Sequence, residues 1–95
     1  MASSFRISWH RKGGSVHIGL KGDFDGSSAC QLCNLLNEKL PSVNEVVVHT
    51  DKLRNVYPFG RQVFERNLSY LQHSCPITFE GKHAQQLVSD IGLSL

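Results

Sequence analysis

The strongest constraint on this chain is the unbroken β-branched run Val46-Val47-Val48, followed shortly by Pro58-Phe59-Gly60. A strand without apolar/polar alternation is expected to be covered on both faces, as the inner strand of a parallel or mixed sheet is. Proline fits the first turn of a helix, where its missing N–H has no partner to lose. The run therefore reads as a buried strand feeding a helix, with Asp51-Lys52-Leu53-Arg54-Asn55 as the turn between them. Such a junction presents helix-start N–H groups in a solvent-facing loop. The stretch from Glu45 to Phe64 is thus where a site is expected.

Two runs upstream supply strands for it to pair with. Phe5, Ile7 and Trp9 alternate with Arg6, Ser8 and His10, and Val16, Ile18 and Leu20 alternate with His17, Gly19 and Lys21. Period two marks half-buried strands, and Lys12-Gly13-Gly14 between them predicts a β-hairpin. Gly19, inside a strand, leaves room for something to pack close to the backbone. Gly22-Asp23-Phe24-Asp25-Gly26 reads as a loop, with Ser27 or Ser28 as helix cap and Asp25 placed to favour the helix start. Ala29, Leu32, Cys33, Leu36 and Leu40 share one helical face, widened by Leu35 and stopped at Pro41. A second helix follows from Phe59, Val63, Phe64, Leu68 and Leu71 to about His73. A strand Ile77-Thr78-Phe79 comes next, then a helix with Ala84, Leu87, Val88 and Ile91 capped by Gly92.

The order is β-β-α-β-α-β-α. Right-handed crossovers make this one α/β domain over residues 1–95, a mixed four-stranded sheet with helices packed on one face. Ten Lys and Arg against eight Asp and Glu give a net +2, and no dense basic run with interleaved aromatics argues for nucleic acid. No apolar stretch nears the ~20 residues of a membrane span, and no secretory leader precedes the first strand, so a cytoplasmic protein is expected.

Cys30 and Cys33 form a Cys-x-x-Cys at a helix start, and Cys75-Pro76 precedes a strand. A thioredoxin-like thiol redox protein is therefore the alternative function. Against it, Cys33 falls on the apolar face between Leu32 and Leu36. Three cysteines, an odd number at no framework spacing, fit a reducing compartment. The five histidines, His73-Ser74-Cys75 included, show no zinc-module spacing, so no metal and no cofactor are expected. His49 reads as the end of the central strand. Asp23, Asp25 and Asp51 are expected at one end of the sheet, where loop capping is the better role than acid–base work.

These residues resemble the STAS domain family, named for sulfate transporters and anti-sigma factor antagonists, over about Phe5 to Leu93. Leu20-Lys21-Gly22-Asp23-Phe24-Asp25 is similar to the family signature at the end of its second strand, a glycine followed two residues later by Leu/Phe-Asp. Ala29 to Leu40 resembles the first helix, Val46-Val47-Val48 the third strand, and Gly60 the glycine that opens the second helix. Phosphorylation-switched members have an Asp at a strand end and a later Asp-Ser-Ser/Thr-Gly. Aligned on Gly60, those positions fall on His49, Tyr57, Pro58 and Phe59. The acceptor hydroxyl is replaced by Pro58, so the usual switch is lost.

The resemblance implies a non-enzymatic bacterial regulatory or adaptor domain that works by binding a protein, as monomer or homodimer. The partner would be a kinase-type anti-sigma factor, a stressosome-like assembly, or a subunit of a transport or lipid-trafficking complex. The expected contact surface comprises Asp23, Asp25, Ser27, Ser28, Asp51, Tyr57, Pro58, Phe59, Gly60, Arg61 and Glu65. Within it Phe59 reads either as core or as contact, and so does Tyr57; exposed aromatics are frequent interface anchors. Ser27 and Ser28 are the nearest remaining hydroxyls for phosphorylation. A small-molecule sensor with an apolar pocket beneath the second helix is a further reading.

Overall fold

The computed structural model describes residues 4–71 and 75–88. Its first strands, β1 (Arg6–Lys12) and β2 (Ser15–Phe24), pair antiparallel, with Lys12 opposite Ser15 across Gly13-Gly14. Gly13 takes a φ of 62°, which side chains disfavour and glycine does not. β3 (Glu45–Val56) runs parallel to β2, and β4 (Ile77–Glu80) parallel to β3, in the order β1-β2-β3-β4. The helices α1 (Gly26–Lys39), α2 (Pro58–Leu68) and α3 (Ala84–Val88) complete the expected succession. Pro41 lies in a short 3₁₀ turn, Leu40–Ser42, that ends the first helical segment.

One face of the sheet carries the core. Val16, Ile18, Leu20, Val46, Val48 and Phe79 meet Leu32 and Leu36 of α1, Phe64 and Leu68 of α2, and Leu87 of α3. Each fully buried Leu, Ile or Phe contributes about 1.5–3 kcal/mol. Phe5, Phe24, Phe64 and Phe79 form a chain of edge-to-face rings with centroids 6.0, 6.0 and 5.7 Å apart. Phe64 packs beneath α2, in the place that the small-molecule reading assigns to an apolar pocket.

The alternate residues of the strands point the other way. On this face lie Arg6, Ser8 and His10 of β1, His17, Gly19 and Lys21 of β2, and His49 of β3. Among the described residues no helix packs there, yet Val47 is still buried, between neighbouring side chains of the sheet. The expectation of cover on both faces thus holds for Val46 to Val48, although helices supply it on one side alone.

The largest departure concerns β3, which runs on to Val56. The expected turn at Asp51 to Asn55 is strand. Leu53 is the reason it can be: it is buried in the core, with two register shifts against β2 absorbing the irregular pattern around it. Thr50, also buried, donates to the Glu80 carbonyl (2.8 Å) and accepts from the His83 N–H (3.2 Å), fastening β4 and the approach to α3 to this strand. The Gly22–Phe24 segment, expected as loop, likewise continues β2. The expected second helix through Leu71 is shorter: α2 ends at Leu68, with Ser69 as its C-cap and a turn at Tyr70. His73, and Ile91 and Gly92 of the last helix, lie outside the described residues.

Candidate functional site

At one end of the sheet two strand-to-helix connections abut. In the first, Gly22 has a φ of 94°, and a Cβ there would collide with the Ser4 carbonyl. The chain then buries Phe24 and turns at Asp25, the N-cap of α1. Asp25 Oδ1 accepts from the Ser28 N–H at 2.9 Å, and the Ser28 hydroxyl lies 2.9 Å from the same oxygen and 3.0 Å from the Asp23 carbonyl. The Ser28 N–H bond is the main reason the Asp25 carboxyl is held below the usual carboxylate range. Asp25, rather than Ser27 or Ser28, is therefore the cap. Ser28 is fully buried, which removes it from the contact surface and from the candidates for phosphorylation, whereas Ser27 is exposed.

In the second connection, Tyr57 precedes α2 with Pro58 at its first turn. The Tyr57 N–H donates to the Phe24 carbonyl at 3.0 Å, which ties this connection to the first. Gly60 sits where the two touch: a Cβ on it would lie 2.7 Å from the Phe24 oxygen and 2.7 Å from the Asp25 carbonyl carbon. Gly60 is buried and acts as a spacer of zero width, not as a contact residue. Phe59 is 68% exposed, so its reading as core is corrected: its ring lies across Gly26, whose absent Cβ leaves the space. Tyr57 is 45% exposed beside it, and Arg61 and Glu65 lie 3.9 Å apart one turn along α2.

The carboxylates expected together are each taken by a different partner. Asp23 receives a two-point contact from Arg54 (Nε–Oδ1 3.1 Å, Nη2–Oδ2 3.0 Å) and a bond from Asn55 at 3.0 Å. The Arg54 hydrogen bonds, then that from Asn55, hold its carboxyl below the usual range. Asp51 accepts from the Lys82 N–H at 2.8 Å. With β3 continuous, Asp51 lies about 20 Å from Tyr57, at ~3.3 Å per strand residue. Asp51 thus leaves the site, and His49 stands in mid-strand rather than at a strand end.

The thiols give redox chemistry little support. Cys33 is buried, and desolvation pushes its thiol up to about 12, the opposite of an activated thiolate. Cys75, also raised by burial, has its sulfur 4.0 Å from the Leu40 carbonyl oxygen. Among the described residues no group of three or more His, Cys, Asp and Glu is arranged to hold a metal ion, and no helix is long and apolar enough to cross a membrane.

Residue-by-residue reading missed a histidine row. His10 and His17 stack at 5.2 Å and 7°, and His17 Nδ1 lies 3.0 Å from His49 Nε2. His49 Nδ1 is in turn 3.5 Å from Glu80 Oε1. Counting outward from the Gly13-Gly14 turn would have placed His10 opposite His17. The third member needed the parallel register.

No family model and no curated protein sequence matches this chain. Solved structures do. An anti-sigma factor antagonist from Mycobacterium paratuberculosis superposes with a TM-score of 0.62 at 14% identity, over 87% of this chain and 73% of its own. The anti-sigma factor antagonist SpoIIAA in its unphosphorylated form gives 0.58 at 14%, over 95% and 82%. Mglu gives 0.66 at 19%, over 77% of this chain; the matched region spans 19% of the Mglu chain. With its mixed sheet, one helical layer and abutting helix starts, the chain has the STAS fold, that of the anti-sigma factor antagonists.

Proposed function

We propose that this chain is a non-catalytic regulatory or adaptor domain that binds another protein through the paired helix starts. The observation that carries this reading is the exposed Tyr57-Pro58-Phe59 segment, held against the rigid Asp25 cap by Gly60. Two aromatic rings on a fixed backbone offer large apolar area with few rotamers to immobilise, the chemistry of an interface anchor. Asp25, Ser27, Arg61 and Glu65 would form its polar rim.

Pro58 has no hydroxyl, so the domain would not be switched by a phosphate at this helix start. The shared fold suggests a kinase-type anti-sigma factor as partner; a subunit of a transport complex is the second class. Retention of proteins from a lysate of the source cells, by the native chain and by a Tyr57→Ala/Phe59→Ala variant, tests the surface. A specific protein held by the native chain and lost on the variant, with an unchanged circular dichroism spectrum, is the expected result. Equal retention by both would remove these aromatics from the interface.

A further inference from the structure

The helix-free face of the sheet carries an arrangement that the binding role above does not use. Arg6 of β1 stands opposite Lys21 of β2, and Lys21 stands opposite Lys52 of β3. Three cations thus share one cross-strand row, spanning about 10 Å at ~4.8 Å per strand. Like charges directly opposite one another destabilise a sheet. Nothing among the described residues relieves them: none of the three side chains makes an ion pair or hydrogen bond there. The acids nearest the row are Asp51, which lines the groove beside Lys52 and accepts from the Lys82 N–H, and Glu80, which faces His49; neither forms an ion pair with the three cations.

Four residues down β2, about 13 Å away, His10 stands opposite His17, and the His49 ring leans diagonally onto His17 to complete the second row. Between the rows the floor is Ser8 opposite Gly19, with His49 in register with Gly19 on the β3 side. Gly19 borders the first register shift of β2 against β3, a place where glycine is common, but its own backbone does not demand one. Its φ is not in the left-handed region, and a Cβ on it would meet only the Ser8 Oγ, at 3.1 Å, a group that can rotate away. Glycine in mid-strand weakens a sheet, and it marks either such an irregularity or a place where a ligand approaches the backbone. Both rows and this floor line one groove of about 860 Å³, which continues round the β1 edge toward Gln31.

We propose that this face binds a phosphate-bearing anion, seated over Gly19 between the Arg6–Lys21–Lys52 row and the His10–His17–His49 row. Three unpaired cations within ~10 Å match a compact group of more than one negative charge better than a single carboxylate. The Ser8 hydroxyl and the His10 ring, which unlike His17 and His49 is not already bonded along the histidine row, supply directional donors that a purely electrostatic patch lacks. The phosphate could belong to a free metabolite-sized anion or to a lipid headgroup, and the two sources separate experimentally.

The test is amide NMR titration of the intact chain with inorganic pyrophosphate at low salt, beside co-sedimentation with phosphatidic acid vesicles. Saturable shifts at Arg6, Ser8, Gly19, Lys21 and Lys52 are expected, with affinity lowered about tenfold or more in Lys21→Ala, the size expected for losing one charge-assisted contact. Gly19→Ala, which closes the floor, should lose binding while thermal stability is kept or raised; a structural role for Gly19 would lower it. Vesicle capture that requires Lys21, without pyrophosphate binding, also supports the site and assigns the phosphate to a lipid. Absence of both, or shifts confined to the starts of α1 and α2, overturns the proposal.

Discussion

Replacing Gly60 by alanine tests the packing on which the candidate interface rests. The added Cβ would lie 2.7 Å from both the Phe24 oxygen and the Asp25 carbonyl carbon, and 2.8 Å from Asp25 Cα. All three are backbone atoms, so no side chain can rotate out of the way. Ordinary contact lies several tenths of an ångström further out, and α2 must retreat by that much from the β2–α1 connection. Overpacking of this kind costs about 1–3 kcal/mol. Alanine's better helix propensity returns at most about 1 kcal/mol, and less than that in the first turn. The net is a loss of roughly 1–2 kcal/mol, in a domain whose total stability is about 5–10 kcal/mol. With a urea m-value near ~1–1.5 kcal/mol/M, the midpoint should fall by about 1 M at unchanged m. The Tyr57 amide, bonded to Phe24, should exchange faster in the variant. An unchanged or higher midpoint would mean that the two helix starts do not touch at Gly60, and the rigid platform under Phe59 would go with them.

Asp25→Ala should cost about 1 kcal/mol through loss of the α1 cap. Its carboxyl is depressed in the folded state, so its contribution is present above the ordinary aspartate range and is lost as pH falls through that range toward the folded value. Stability of the native chain should therefore drop as pH falls below about 4, and the variant's profile should be flatter there when followed by thermal melts. A thiol-reactive dye at pH 7 should label the exposed Cys30 in native protein and reach the buried Cys33 only on unfolding, with no turnover in an insulin-reduction assay. Fast labelling of Cys33, or turnover, would revive the redox alternative. The Tyr57→Ala/Phe59→Ala variant should melt within about 1 kcal/mol of the native chain, since neither ring belongs to the buried core.

The element order and strand directions were legible because hydrophobic period follows directly from burial on one face. What was hidden depended on partners distant in sequence. Asp51 to Asn55 has the composition of a turn; it stays extended because Leu53 reaches the core and Arg54 locks onto Asp23 from the adjacent strand. That extension moved His49 and Asp51 from a strand end to mid-sheet. Phe59 carries the helical spacing of a core residue. Its exposure follows from Gly60, which brings α2 so close to Asp25 that the ring can only lie over Gly26. The absence of a hydroxyl at Pro58 was readable locally, whereas a local reading puts the cap on Ser27 or Ser28, because all three polar residues lie within one turn and only the Asp25–Ser28 bond decides between them.

The length of β3 has one more consequence, for how the molecule behaves among its own copies. β4 pairs only with Val46 to His49, so residues 51–56 of β3 have β2 on one side and, among the described residues, no strand on the other. An open stretch of backbone like this is a template on which another chain can add a strand. Here it carries Asp51, Lys52, Arg54 and Asn55, all exposed, and lies beside two register shifts. A strand arriving at that edge would meet charges and a bent ladder instead of a flat apolar rail. The same segment that reads locally as a turn therefore limits growth of the sheet where it is least protected.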